Sequence, residues 1–395
     1  MRSFWKDLSL SAATAGFVAV LVGFTSSAAI VFAAAKALNA NAAQTASWMW
    51  ALGLGMGLTS ILLSLRFKQP VLTAWSTPGA ALIATSGAGI SLPEATGAFL
   101  LCAALITFFG FSGWFEKLMS KVPVSLASAL LAGVLVKFTL QAFAAIKTQP
   151  FLVLAMMAAY LAGKRWFARY AVPLALLIGL VLSFTLDIVA TPEPQVLAQA
   201  LQIASPVWVT PAFSWQAMIG IGIPLFIVTM ASQNIPGIAT LRACGYDAPT
   251  SPIVGWTGVA SGLLAPFGGY ALNLAAITAA ICMSQQADEN PQRRYTAAVM
   301  AGVYYCVIGL LAGIVTLVFS ALPMELIVSI AGLALLATVG NGLAVALKED
   351  GAREPALICF AMTASGLTVM GIGSAFWGLV AGLVATLFMR RKSVV

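Results

Sequence analysis

The stretch Pro266-Phe-Gly-Gly-Tyr-Ala-Leu-Asn-Leu-Ala-Ala276 breaks an apolar run in the second half of the chain. Proline offers no backbone N–H and glycine favours non-helical conformations, so a helix is not expected to run through it. A similar stretch, Pro70-Val-Leu-Thr-Ala-Trp-Ser-Thr-Pro-Gly-Ala-Ala81, lies in the first half. Each stretch predicts an extended segment followed by a helix that starts in the interior, beside a cavity. The alternative is a pair of simple proline kinks.

The composition around these stretches is that of a membrane protein. Of 395 residues, 61% are hydrophobic and 8% are charged, whereas a soluble domain has about 25% charged residues. A soluble globule could not bury so much apolar surface, which excludes a cytosolic enzyme. The formal net charge is +8, but the basic residues form short clusters between long uncharged runs, so nucleic-acid binding is not indicated. We therefore predict an all-α polytopic protein embedded in the lipid bilayer of a bacterial inner membrane.

Fourteen predicted spans account for the apolar runs. A hydrocarbon core about 30 Å thick requires about 20 apolar residues of helix, and the runs are too long and too uniformly apolar for barrel strands. The last two spans come from splitting one long run near Gly371 and Gly373. The predicted spans cover residues 8–35, 47–65, 70–90, 95–115, 122–143, 151–163, 170–186, 215–241, 252–267, 269–283, 295–322, 326–347, 355–370 and 372–389.

The distribution of basic residues predicts the orientation of these spans. With a cytoplasmic N-terminus, 17 of the 20 lysines and arginines fall at the cytoplasmic ends of spans, whereas the other side receives Lys36 and Lys147. Cytoplasmic loops of membrane proteins carry such an excess of basic residues. Because the asymmetry persists along the whole chain, we predict that both termini are cytoplasmic.

The longest connection, residues 187–214, divides the chain into residues 1–186 and 215–395, with seven predicted spans each. An odd number of spans inserts the second half in the opposite orientation, which is the arrangement of an inverted repeat. The two interrupted stretches fall at corresponding positions, in spans 3 and 10. Their half-helices would then point their N-termini at each other near the middle of the membrane. Free N–H groups and the positive ends of two helix dipoles suit an anion.

The most informative polar run inside a span is Ser232-Gln-Asn-Ile-Pro-Gly237, in span 8. Amide side chains are costly in hydrocarbon unless they have partners, so Gln233 and Asn234 are expected to face the protein interior. Pro236 and Gly237 are expected to loosen the helix just after these two amides. An amide offers donors and acceptors, which suits a carboxylate. We predict that Gln233 and Asn234 bind the substrate; hydrogen bonding between helices is the alternative.

Small polar residues lie where the two half-helices are expected to begin. Asn273 is predicted to stand at the start of the helix in span 10, where asparagine is a good N-cap, and contact with a ligand is compatible with that role. Ser76, Thr77 and Gly79 occupy the corresponding place in span 3. We include all four residues in the predicted substrate site.

Aromatic side chains are candidates for a flat apolar wall of this site. Phe24, Phe267 and Tyr270 are the three that we select, and Tyr270 lies within an interrupted stretch. The chain has 22 phenylalanines, so most of these rings must face lipid or the core. Tyr270 is therefore the strongest candidate of the three.

The sequence contains no pattern typical of a catalytic, metal or cofactor site. It has no histidine, and its five cysteines form no Cys-x-x-Cys pair. A nucleophile elbow and a zinc-protease motif are both missing, so an intramembrane enzyme is not predicted. Lys137 is the one charge well inside an apolar run. It either attracts an anionic substrate or, as we favour, extends toward the periplasmic interface.

Four motifs in the second half are long enough to be specific. They are Ser-Gln-Asn-Ile-Pro-Gly-Ile at 232–238, Leu-Arg-Ala-Cys-Gly-Tyr-Asp-Ala-Pro at 241–249, Ala-Pro-Phe-Gly-Gly-Tyr-Ala-Leu-Asn-Leu-Ala-Ala-Ile-Thr-Ala-Ala-Ile-Cys at 265–282, and the run from Asp288 to Tyr295. Together they closely resemble the bacterial benzoate/proton symporter family (BenE-type). The resemblance is densest over residues 230–310, and the length and span count match the family throughout.

The resemblance implies a fold shared with nucleobase, sulfate and bicarbonate transporters. It implies a core domain of spans 1–4 and 8–11, a gate domain of spans 5–7 and 12–14, and a substrate site between spans 1, 3, 8 and 10. It also implies alternating access, import of benzoate or a similar aromatic monocarboxylate with protons, and assembly as a homodimer. Nucleobase members carry a glutamate in span 8, where this chain has Ser-Gln-Asn. That difference agrees with an anionic substrate but removes the obvious proton carrier.

Two other functions stay open at this stage. A transporter for another small substrate, such as a nucleobase or an inorganic anion, would use the same scaffold. A channel is the second alternative, although interrupted helices are more typical of alternating access than of a continuous pore.

Overall fold

The computed structural model describes residues 2–114, 123–166, 170–190, 197, 203–285, 287–367, 369 and 374–389. These residues form a helical protein with one short two-stranded sheet. The helices of the first half are α1 (Arg2–Asp7), α2 (Leu10–Ala37), α3 (Ala42–Phe67), α4 (Thr77–Ser86), α5 (Leu92–Phe111), α6 (Val124–Ala144), α7 (Pro150–Trp166) and α8 (Ala171–Thr185). Those of the second half are α9 (Trp215–Arg242), α10 (Thr250–Leu264), α11 (Ile277–Met283), α12 (Tyr295–Leu310), α13 (Ala312–Ala321), α14 (Met324–Ala346), α15 (Arg353–Ser365) and α16 (Ser374–Met389).

Polar caps extend several helices a few residues beyond the apolar runs. Helix α3 begins at a capping box, in which Asn41 Oδ1 accepts from the Gln44 N–H and Gln44 Oε1 accepts from the Asn41 N–H. Helix α5 begins with the same reciprocal pattern between Ser91 and Glu94. Such a box satisfies backbone donors that a helix start otherwise leaves unpaired. The helices therefore start before the predicted spans 47–65 and 95–115.

The apolar helical architecture expected of a membrane protein is confirmed. In the part of the chain that the structure describes, five helices are long and apolar enough to cross a membrane, or seven if each of two bent pairs is one span. The exact count of fourteen spans and the division into seven plus seven stay predictions. The predicted break near Gly371 and Gly373 lies outside the described residues.

Two of the predicted spans are bent. Helix α2 bends by 42° between Thr25 and Ser27, and α12 and α13 meet at 68° within predicted span 295–322. At the first bend, Thr25 Oγ1 donates to the Leu21 carbonyl (2.7 Å) and Ser27 Oγ donates to the Gly23 carbonyl (2.8 Å). Hydroxyl groups bonded back to the preceding turn in this way often bend a helix.

Helix α9 is continuous but contains two π-helical segments, Met218–Gly222 and Met230–Asn234. Each segment ends two residues before a proline, Pro224 or Pro236. A proline cannot donate to the carbonyl four residues earlier, so the hydrogen-bond pattern shifts. The predicted position of the loosening, just after Gln233 and Asn234, is therefore wrong, because the irregular turn contains both amides and ends before Pro236.

Each interrupted stretch contains a strand followed by a helix. Strand β1 (Thr73–Trp75) precedes α4, and strand β2 (Leu272–Leu274) precedes α11. The strands pair antiparallel, with Ala74 opposite Asn273. The two stretches, almost 200 residues apart in the chain, thus meet in the interior.

The second helix starts later than predicted. A 3₁₀ turn at Ala265–Phe267 precedes β2 and ends at Gly268, which has a φ of +94°. Helix α11 begins at Ile277 instead of near Gly269. Asn273 lies in the middle of β2, so its predicted role as N-cap is wrong. Ala276 holds the N-cap position and provides no side-chain hydrogen bond.

Candidate functional site

The two-stranded sheet is buried, and side chains from neighbouring helices satisfy its outer edges. Between the strands, the Ser76 N–H donates to the Ala271 carbonyl (3.0 Å) and the Ala275 N–H donates to the Leu72 carbonyl (2.9 Å). The outward N–H groups donate to side chains, namely Thr73 to Ser60 Oγ (3.0 Å), Trp75 to Met56 Sδ (3.0 Å), Leu272 to Ser261 Oγ (2.8 Å) and Leu274 to Asn234 Oδ1 (2.9 Å). Irregular backbone is tolerated at membrane depth only when its polar groups find such partners.

Asn234 connects the π-helical turn of α9 to the edge of β2. It is fully buried, and its Nδ2 donates to Met230 Sδ (3.1 Å) while Oδ1 accepts from Leu274. Met230 and Asn234 are four residues apart and therefore lie on the same face of α9. Asn234 therefore acts as a fixed support for β2 in this structure.

Ser76 caps the first short helix. Its Oγ accepts from the Gly79 N–H (3.1 Å) and from Thr229 Oγ1 (2.9 Å), so this residue joins α4 to α9. Ser76 and Thr229 are both fully buried. An N-cap of this kind stabilises a helix by about 1 kcal/mol.

Asn273 joins the two strands through its side chain. With the amide oriented so that both of its atoms have partners, Oδ1 accepts from the Ser76 N–H (3.0 Å) and Nδ2 donates to the Leu274 carbonyl (3.0 Å). The residue is fully buried opposite Ala74. Its amide thus holds the register of the sheet.

Gly79 lies where α4 approaches α9 closely. A Cβ atom at this position would lie 2.5 Å from Leu225 Cδ1 and 2.8 Å from Ser76 Oγ. Gly237 has the equivalent restriction against β2, since its Cβ would lie 2.5 Å from Leu274 Cβ. Both glycines permit contact between α9 and the strand–helix segments.

The predicted site residues divide by exposure. The buried residues are Ser76, Gly79, Asn234, Tyr270 and Asn273, and the partly exposed ones are Phe24, Thr77, Gln233 and Phe267. Among the described residues, the Gln233 side chain has no hydrogen-bond partner. Ile277, the first residue of α11, is 76% exposed although β2 just before it is buried. The partly exposed residues are the ones that a ligand could contact without displacing the sheet.

The three predicted aromatic residues have different surroundings. Phe24 lies beside Trp75, with ring centroids 5.7 Å apart, and Trp75 Nε1 donates to Ser27 Oγ (2.9 Å). Tyr270 is fully buried between aromatic rings of α3 and α5, and Phe267 packs against Trp50 and Trp208. The structure brings Phe24 to the sheet but places the rings of Phe267 and Tyr270 in other packing contacts.

Sequence reasoning missed several residues of this site. Trp75 belongs to the stretch quoted above, and Thr229 stands one helical turn before Gln233. The alternation of outward and inward residues in a strand would have signalled Trp75 only if the strand itself had been predicted. Ser60 and Ser261 gave no local signal, because serine in an apolar helix also bonds to its own preceding turn.

The partners of the sheet are all uncharged. No group of three or more His, Cys, Asp or Glu side chains that could hold a metal occurs among the residues that the structure describes. The arrangement therefore offers amide, hydroxyl and ring groups to a ligand, not fixed charges.

Comparison with known proteins first defines the fold. The transmembrane domain of a cyanobacterium bicarbonate transporter, BicA, aligns with a TM-score of 0.60 at 14% identity, covering 96% of each chain. At this identity the likeness shows that the two chains share a fold.

Sequence comparison then defines the family. A family model described as "Benzoate membrane transport protein" matches residues 6–388. The chain is 47% identical over 368 residues to "Inner membrane protein YdcO" of Escherichia coli (strain K12), covering 93% of each chain. It is 39% identical over 385 residues to "Benzoate membrane transport protein" of Acinetobacter baylyi, covering 98% of this chain and 96% of that relative. The chain belongs to the benzoate membrane transport protein family, a family of transporters and not of enzymes.

Proposed function

We propose that this protein imports benzoate or a similar aromatic monocarboxylate together with a proton, by alternating access. The observation that carries the proposal is the family match over residues 6–388, with 39% identity to a benzoate membrane transport protein over nearly the full length of both chains. The inner-membrane name of the Escherichia coli relative supports a bacterial inner-membrane location. The excess of basic residues in alternate connections supports cytoplasmic termini.

The proposed membrane arrangement is a seven-plus-seven inverted repeat with half-helices in spans 3 and 10. It is supported by the antiparallel pairing of β1 with β2 and by the short helix that follows each strand. In this arrangement spans 1–4 and 8–11 form the core domain and spans 5–7 and 12–14 form the gate domain. We also propose a homodimer, on the resemblance to the family alone.

The proposed substrate site lies beside the strand pair, where segments of α2, α4, α9 and α11 meet. The partly exposed residues Thr77 and Gln233 would donate hydrogen bonds to the carboxylate at the start of α4, where the helix dipole favours negative charge. Phe24 would contact the aromatic ring. The buried residues Ser76, Gly79, Asn234 and Asn273 would hold these groups in position, because each already contacts the sheet or α4.

The aromatic residues Phe267 and Tyr270 enter this proposal as packing residues of the core domain. The ring centroid of Tyr270 lies 5.9 Å from that of Trp48 on α3 and 6.1 Å from that of Phe99 on α5. Such contacts fix the position of the backbone that leads into β2.

The proton is proposed to travel with the substrate. Among the described helices, Lys137 is the one Asp, Glu, Lys or Arg residue more than a turn from a helix end, and no carboxylate lies beside the sheet. A carboxylate and a proton crossing together carry no net charge, which avoids the large cost of a lone ion in an apolar cavity. Benzoate that binds as an anion would leave the site with one proton gained from the periplasmic side.

A transporter of a nucleobase or an inorganic anion on the same scaffold is the alternative function. The fold likeness to a bicarbonate transporter favours it as the second candidate. Against it, the site offers a ring contact at Phe24 and Trp75 that an inorganic anion does not need.

Purified protein in proteoliposomes tests the proposal. We expect saturable counterflow of radiolabelled benzoate, and accumulation when an inward proton gradient is imposed. Unlabelled benzoate should compete, whereas uracil and sulfate should not. The proposal is refuted if benzoate uptake does not saturate or if sulfate or uracil competes as well as benzoate does.

A further inference from the structure

A cavity of about 480 Å³ lies at one end of the molecule, between helices that belong to both halves of the chain. Its walls include Ser11, Thr14 and Val18 of α2, Tyr170 just before α8, and Ile281 and Ser284 at the end of α11. In the orientation proposed above, this is the cytoplasmic end. The cavity is lined by α2 and α11, both of the proposed core domain, and by Tyr170 just before α8 of the proposed gate domain.

An exposed face of α11 connects this cavity to the strand pair. Ile277 and Ala280 are exposed and Ser284 is partly exposed, so the open positions recur at the helical spacing of three and four residues. From Ile277 to Ser284 this face extends over about 10 Å, at 1.5 Å per residue. The other faces of α11 pack on α2, α9 and α12. The open face therefore leads from the sheet to the cavity.

Helix α2 forms the opposite side of the same path. A Cβ atom on Gly23 would lie 3.1 Å from Thr278 Cγ2, which places Gly23 level with the start of α11. Phe24, the next residue, packs on Trp75 at the sheet. From there toward the N-terminus of α2, partly exposed Val18 and exposed Thr14 and Ser11 follow one helical face down to the cavity.

The lining of the cavity suits an aromatic carboxylic acid. None of the lining side chains carries a charge. Thr14 Oγ1 donates to the Leu10 carbonyl (2.9 Å) and Ser284 Oγ donates to the Ile281 carbonyl (2.8 Å), so both oxygens can accept a hydrogen bond from a protonated carboxyl group. The Tyr170 side chain is 41% exposed and offers a flat ring from the opposite wall. The volume falls within the range of about 300–1,000 Å³ usual for small-ligand sites.

We infer that this cavity is a second binding site for the transported aromatic monocarboxylate. The substrate occupies it on the way from the strand pair to the cytoplasm. The inference rests on the proposed function and adds a place where the substrate is held after it leaves the sheet. Thr14 and Ser284 hydrogen-bond the carboxyl group there, and the Tyr170 ring contacts the substrate ring.

Filling the cavity tests this inference. Thr14→Trp and Ser284→Trp each place an indole in the path, while Leu62→Trp adds the same bulk on an exposed face of α3 and serves as the matched control. We expect benzoate counterflow to fall at least tenfold in the first two variants and to stay within twofold of wild type in the control. Equilibrium binding of benzoate to the solubilised protein should change less than threefold in all three variants, because the strand pair is untouched.

Tyr170 provides a second test that does not depend on inserting bulk. Tyr170→Ala should raise the benzoate concentration for half-maximal counterflow about fivefold, and Tyr170→Phe should match wild type, because the ring makes the contact. The inference is overturned if both tryptophan variants show counterflow at the control rate, which is the result expected if lipid fills the cavity. It is also overturned if Tyr170→Ala equals wild type. A wild-type protein without benzoate counterflow refutes the proposed function instead, before any variant is compared.

Discussion

The two strand–helix segments have the same local structure, but different side chains accept hydrogen bonds from their outer edges. At the outer edge of β1, both N–H groups donate to side chains of α3, Ser60 Oγ and Met56 Sδ. At the outer edge of β2, one N–H donates to Ser261 of the preceding helix, but the other donates to the Asn234 amide of α9. A thioether on one side thus corresponds to an amide on the other.

The helices that follow the two strands differ in length and in capping. Helix α4 has ten residues and a serine cap, whereas α11 has seven residues and no side-chain cap, and its first residue is exposed. The first segment is therefore a supported scaffold, and the second presents an open face. The polar run of α9 lies between them and contacts both, through Thr229 and Asn234. Helix α9 therefore supports the two segments through different side chains, a hydroxyl at the first and an amide at the second.

The largest effect is expected from Asn234→Ala. The change leaves the buried Leu274 N–H without a partner, which costs about 1–3 kcal/mol. We expect at least tenfold slower benzoate counterflow and a lower unfolding temperature in detergent. Gln292→Ala, which removes an exposed amide, is the matched control and should equal wild type. An Asn234→Ala variant with unchanged stability and transport would show that β2 does not need this support.

Gly79→Ala tests the first strand–helix segment, at the contact between α4 and α9. The added methyl group meets Leu225 and Ser76 Oγ, so α4 must move away from α9 or lose its cap. Overpacking of this kind costs about 1–3 kcal/mol, and we expect roughly tenfold slower counterflow. Gly340→Ala adds the same group where nothing lies within 4 Å and should be neutral. Equal rates for the two variants would contradict the close approach of α4 and α9.

Gln233→Ala separates substrate contact from support. Because Gln233 is partly exposed and has no partner among the described residues, we expect an unchanged unfolding temperature. Loss of one hydrogen bond to a charged group is worth about 1.5 kcal/mol or more, so half-saturation of counterflow should require roughly tenfold more benzoate at least. The rate at saturating benzoate should persist. If stability falls instead while affinity is kept, Gln233 belongs to the scaffold with Asn234.

Lys137→Met should have the smallest effect. The Lys137 ammonium lies beside Gly366, which ends α15 with φ of +72°, and a Cβ on that glycine would lie 2.6 Å from Nζ. A cation at a helix C-terminus is worth about 0.3–1 kcal/mol, so stability should fall only slightly and counterflow should stay within twofold. A large loss of transport would instead favour an electrostatic role of Lys137 toward the substrate.

Much of the helical architecture could be predicted from the sequence, because apolar runs of sufficient length have few alternatives in a membrane. Helix ends differ by a few residues where caps such as Asn41 or Ser91 lie outside the apolar run. The two interruptions were visible as Pro and Gly in otherwise uniform runs.

The site was predictable only in part, since its contacts join distant segments. The polar run at 232–237 drew attention to Gln233 and Asn234, but their different exposure follows from the π-helical turn and from the edge of β2. Asn273 reads as a cap in sequence, and only the pairing of the strands shows it inside a sheet. Thr229 and Trp75 have no distinctive local pattern, so tertiary contact alone identifies them.

Anomalous diffraction from crystals soaked with 4-bromobenzoate tests the central claim most directly, that the carboxylate binds beside the strand pair. We expect a bromine peak with the carboxylate within hydrogen-bond distance of Thr77 or Gln233 and the ring near Phe24. A well-occupied bromine site remote from both short helices, with none beside the sheet, would contradict it.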